Sequence, residues 1–97
     1  MPAYFIVFVE EPADHSEIDE YRRIAIPSLA GRDVKFLTRP DCEVLTLEGD
    51  DVDVVVTIEF PSVAEARDWY YSEAYQSAVK HRHGTAKSRA VIVEKIG

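Results

Sequence analysis

Residues 3–9 read Ala-Tyr-Phe-Ile-Val-Phe-Val, and this run decides the architecture. Aromatic and β-branched side chains dominate it, which suits a strand better than a helix. Both alternating faces are apolar: Tyr4, Ile6 and Phe8 on one, Phe5, Val7 and Val9 on the other. A strand half open to water alternates apolar with polar, so this one is expected in the middle of a sheet with both faces covered. Further along, residues 90–93 supply a final strand, again apolar on both faces. Val54, Val56, Ile58 and Phe60 form one face of a strong strand whose other face carries Val55, Thr57 and Glu59. Residues 34–38 make another strand, bounded by Arg39, Pro40 and Asp41. Residues 43–47 read as a short additional strand before the polar turn Glu48-Gly49-Asp50-Asp51.

Two helical patterns lie between these strands. Pro12 marks a turn, Asp14 is placed to cap, and Glu17 follows three residues later, as a capping box requires. Ile18, Tyr21, Ala25 and Leu29 then recur at helical spacing. Pro27 is expected to kink or end this helix and Gly31 to close the segment. The second pattern opens at Ser62 with Glu65 as its box partner, and Ser72 re-caps a further segment through Tyr75, Ala78, Val79 and Arg82 to Gly84. The resulting order, βαββαβ with an optional short strand, is that of an α+β ferredoxin-like sandwich. It fills a single domain over residues 1–97.

The charge pattern narrows the partners. The net charge is −7, but residues 1–73 carry most of the acids, whereas residues 74–97 hold five basic side chains and one acidic one. An acidic chain repels phosphate backbones, which argues against nucleic acid. The basic segment 80–89 suits a small organic anion. No apolar run approaches the ~20 residues that a bilayer span needs, so no membrane association is expected. The apolar opening lacks a preceding basic residue and a small-residue cleavage site, so it reads as a strand rather than a signal peptide. The single cysteine, Cys42, cannot form an internal disulfide and points to a reducing, cytoplasmic setting.

Two helices cover only one face of such a sheet. The first and last strands would leave a contiguous apolar patch on the other face, which soluble monomers avoid. A homodimer related by a two-fold axis would bury it. The alternative is that the long segment 39–52 folds back over that face.

The stretch Glu59–Arg82, EFPSVAEARDWYYSEAYQSAVKHR, resembles the signature of the uncharacterised family catalogued as domain of unknown function 1330. The matching residues include Glu59, Phe60, Pro61, Ser62, Trp69, Tyr70, Tyr75, Gln76 and Arg82, and Tyr21, Pro27, Gly31 and the Leu47-Glu48-Gly49 tripeptide agree as well. The resemblance implies a dimeric α+β barrel and no established activity. Two departures stand out. The first helix is shorter after Pro27, and Arg39-Pro40-Asp41 stands where the family has Arg-Gly-Gly.

Several residues could carry chemistry. Tyr75 and Arg82 lie seven apart and share a helix face, with Trp69 nearby. Together they could line an apolar pocket ending in a cation, and an arginine grips a carboxylate through two parallel hydrogen bonds. The plainer reading has Arg82 in an ion pair and Tyr75 in the core. Glu59 is either a carboxylate inside the barrel, able to act as a base, or the ion-pair partner of Arg82 or Arg89. Arg39 could guard a pocket mouth or be a solvated surface residue. His81 and His83, two apart on a helix, diverge around its axis, so no metal site is expected, and they read as solvated groups opposing the helix dipole. No phosphate-binding glycine loop and no nucleophile elbow occur, and no bound cofactor is expected. Two readings remain open. One is a domain that binds or acts on a small anionic molecule, isomerase- or monooxygenase-like at most. The other is a non-catalytic dimerisation scaffold.

Overall fold

The pleat of the first strand sorts the chain into layers. In this computed structural model, which describes residues 1–10, 15–84 and 86–96, β1 runs over Ala3–Glu10 and alternates buried and half-buried residues along its length. Ala3, Phe5, Val7 and Val9 are buried beneath the helices, and Tyr4, Ile6 and Phe8 turn to the other side. β2 (Lys35–Thr38), β3 (Val54–Phe60) and β4 (Lys87–Glu94) complete a sheet of order β2-β3-β1-β4. All three of its strand pairs are antiparallel. The apolar first strand is therefore central, as its composition requires. The α+β ferredoxin-like expectation holds.

Register fixes what shares a face. On the helix side Phe5 lies between Ile58 and Ile92, and Val7 between Val56 and Ala90. On the far side Tyr4 lies between Glu59 and Val93, Ile6 between Thr57 and Val91, and Phe8 between Val55 and Arg89. Among the described residues no helix covers this far side. The molecule measures 37 × 32 × 18 Å, and the short dimension is that of one sheet under one helical layer.

The helices follow their local chemistry. α1 spans Ser16–Ala25 and buries Ile18, Tyr21 and Ala25. His15 flanks its start without a side-chain cap bond. The expected turn at Pro12 and cap at Asp14 lie outside the described residues. The helix ends before Pro27, which opens a 3-10 turn over Pro27–Leu29, where its missing N–H costs nothing. Gly31 follows at a φ of 80°, a conformation that glycine adopts freely. α2 (Val63–Tyr70) and α3 (Glu73–His83) are both capped by serine: Ser62 Oγ accepts from the Glu65 N–H at 3.1 Å, and Ser72 Oγ from the Tyr75 N–H at 3.3 Å.

The short strand expected at residues 43–47 is not formed. Its alternation is real, but no neighbouring strand lies beside it to complete a ladder. The Thr46 side chain instead accepts the Val52 N–H at 3.0 Å. Nor does the segment fold back over the far face as a cover. It stands over one end of that face, and Leu45 and Leu47 remain 78% and 83% exposed.

Candidate functional site

The break at Ser72 assembles the most unusual cluster of the interior. Its hydroxyl closes α2 by donating to the Trp69 carbonyl at 2.6 Å while capping α3, so the chain turns between the two helices. Trp69 and Tyr75 then meet with ring centroids 4.1 Å apart, and Phe5 of β1 meets Trp69 edge-on at 5.0 Å. Two turns beyond Tyr75, Arg82 points to the same side of α3. It is 1% exposed.

Arg82 has no carboxylate partner among the described residues. Its Nη1 donates to the hydroxyls of Tyr75 at 3.3 Å and Tyr21 at 3.4 Å, and these hydroxyls bond each other at 2.9 Å. Its Nη2 donates to His83 Nε2 at 3.3 Å, and its guanidinium carbon stands 5.2 Å from the Tyr21 ring centroid. Nε is buried without a hydrogen-bond partner. Removing a cation from water costs several kcal/mol, and long bonds to phenol oxygens with one aromatic face return only part of that. Burial pushes the Tyr75 phenol well above the ordinary tyrosine range, the neighbouring Tyr21 adds to the rise, and the Arg82 cation opposes it. Tyr75 therefore stays protonated and does not act as a base.

Among the described residues a cavity lies on each side of the sheet. On the helix side Tyr21 and Trp69 face a cavity of about 60 Å³, otherwise walled by apolar side chains, with Arg22, Phe36 and Pro40 also lining it. It has room for little more than a water or two. Neither Arg82 nor Tyr75 lines it, so Tyr21 stands between the cavity and the cation. On the far side a cleft of about 420 Å³ separates residues 44–52 from Phe8, Val55 and Arg89.

The sequence-derived candidates thus divide. Trp69, Tyr75 and Arg82 come together. Glu59 does not join them, because the pleat puts it on the far face, where its partner is Lys95 Nζ at 3.8 Å rather than Arg82 or Arg89. Arg39 is 69% exposed and pairs with Asp41 at 3.7 Å, beside Pro40 of the small cavity. Tyr21 and His83 belong to the cluster too, although the sequence placed Tyr21 only on an apolar stripe and read His83 as a solvated group opposing the helix dipole. The signal for Tyr21 was its place on an apolar helical stripe, because a buried phenol needs a partner for its hydroxyl. His81 is not simply solvated, since its Nδ1 meets Glu17 Oε2 at 2.7 Å and ties α3 to α1.

The model of a family described as Domain of unknown function (DUF1330) matches residues 2–96. No curated protein matches the chain. Among solved structures, a protein of unknown function from Rhodopseudomonas palustris is similar at 21% identity and a TM-score of 0.75, over 99% of this chain and 83% of that one. A dimeric protein of unknown function with a ferredoxin-like fold, from Bacteroides fragilis, is similar at 12% identity and a TM-score of 0.62, over 97% and 95% of the two chains. SnoaB, a cofactor-independent oxygenase from Streptomyces nogalater, is similar at 9% identity and a TM-score of 0.57, over 99% and 94%. At these identities the likeness shows the fold alone.

Proposed function

The chain belongs to the family described as Domain of unknown function (DUF1330), which assigns it no reaction, and on that premise we propose that it is a homodimeric domain that binds a small organic anion with an apolar body. The observation that carries this reading is Arg82, a cation 1% exposed, without a carboxylate among the described residues and with Nε unpartnered. A bound carboxylate or enolate would supply the missing charge. The apolar cavity against Tyr21 and Trp69 suits the body of such a molecule, provided its walls part to admit it. Any chemistry there is limited to what a fixed cation and a protonated phenol can do, namely polarise a carbonyl or hold an oxyanion. An isomerase- or monooxygenase-like reaction would rely on the ligand's own reactivity. The exposed single cysteine Cys42 fits a cytoplasmic setting. The dimer is supported by the uncovered apolar side of the sheet and by the dimeric neighbour from Bacteroides fragilis.

A thermal-shift screen of small carboxylates and cyclic ketones, run in parallel on wild type and Arg82→Met, tests the anion site. At a hundred times its Kd, a ligand is expected to raise the Tm of wild type by about 10 °C or more. The folded variant should show no shift. One observation favours a second reading, a dimerisation scaffold: neither cavity is lined by Arg82. If no compound shifts wild type and Arg82→Met lowers the Tm by itself, the scaffold reading replaces the first.

A further inference from the structure

The segment between β2 and β3 combines three properties that do not fit a simple connection. Amid exposed residues that are mostly polar it holds two apolar ones: Leu45 and Leu47 are 78% and 83% exposed, the most exposed leucines of the described chain. It is pinned rather than slack. Lys87 Nζ holds Asp50 at 2.8 Å, Thr46 Oγ1 accepts the Val52 N–H at 3.0 Å, the Asp53 N–H reaches the Val9 carbonyl at 3.0 Å, and Gly49 turns the chain at a φ of 83°. It also stands off its own sheet, leaving the cleft of about 420 Å³ above Phe8, Val55 and Arg89. Leu45 and Leu47 border that cleft and stay largely exposed to solvent.

We infer that this segment is an arm that grips a second copy of the chain, with Leu45 and Leu47 seated on the partner's uncovered sheet face. The inference rests on the dimer reading and adds to it where the contact is made. The surface is self-complementary, as a two-fold interface requires. The same side of the molecule carries an arm with two exposed leucines and an apolar field, in which Val91 and Val93 are each 47% exposed. The arm bears Glu48 and Asp51 and the field bears Arg89, and none of these three has an ion-pair partner among the described residues. Area points the same way. The chain exposes 6199 Å², against about 5600 Å² for a compact monomer of 11.0 kDa. The excess approaches the roughly 800 Å² that each partner contributes to a standard interface. The alternation that reads as a strand at residues 43–47 persists as burial without a ladder: Val44 and Thr46 are half-buried, while Leu45 and Leu47 are exposed.

Sedimentation equilibrium of wild type, the Leu45→Asp/Leu47→Asp double variant and Val91→Asp decides the matter, with circular dichroism confirming the fold of each. Both leucines are exposed in the single chain, so the double variant is expected to fold. Wild type should be dimeric, and both variants should dissociate roughly a hundredfold or more readily, because removal of central apolar anchors dominates such losses. If Val91→Asp weakens the dimer while the double variant associates like wild type, the arm is overturned and the dimer reading stands. If wild type is monomeric at all concentrations, both fall.

Discussion

The burial of Tyr75 ties stability to its ionisation. Its phenol is kept protonated by burial, whereas in the unfolded chain it ionises near pH 10. Its contribution is therefore fully present below about pH 10 and is lost as pH rises above that value, at about 1.4 kcal/mol per pH unit. Urea denaturation between pH 8 and pH 11 should show this loss in wild type and a shallower one in Tyr75→Phe. At pH 8 the variant should already be less stable by about 1 kcal/mol, from the lost bonds to Tyr21 and Arg82. Equal slopes in the two proteins would mean that the phenol titrates freely. At this scale the sequence was informative wherever one element set the geometry. Tyr75 and Arg82 share a face because a helix repeats every seven residues. Glu59 was harder to place, since its partner depends on strand register and on where Lys95 falls beyond β4. Spacing within one strand carries neither fact.

Among the elements, those that open on a local signal were legible. Ser62 and Ser72 each precede a helix and each accept the N–H three residues on. Ser72→Ala should cost about 1 kcal/mol, or somewhat more because its hydroxyl also bonds the Trp69 carbonyl. A chemical denaturation midpoint measured against Ser77→Ala would check this, since Ser77 is exposed and caps nothing. The expected strand at residues 43–47 failed for a different reason. Alternation describes which way side chains point, but a strand also needs a neighbour to accept its hydrogen bonds. The His81–Glu17 bridge between α3 and α1 was equally invisible, because it joins helices whose docking no local pattern states.

The whole molecule is a slab with one dressed face. The helices bury Phe5, Val7 and Val9, and among the described residues no helix does the same for Tyr4, Ile6 and Phe8. The first strand announced this asymmetry, while the position of the β2–β3 segment did not follow from any pattern. If two copies close over that face, thermal unfolding must depend on concentration. Each tenfold dilution should lower the Tm by about 3–4 °C for a dimer of this size, whereas a monomer would show no change. Scanning calorimetry over a hundredfold range of concentration would distinguish them.

The strand order has a consequence for how the chain is made. β1 leaves the ribosome first, yet both strands that flank it come later, β3 from Val54 and β4 from Lys87. Until β4 emerges, the run Ala-Tyr-Phe-Ile-Val-Phe-Val keeps an open edge during synthesis. Contacts between segments so distant in sequence also form slowly. A nascent chain of this design therefore keeps its stickiest segment waiting until β4 is made, and its yield in a cell depends on what shields residues 3–9 in the meantime.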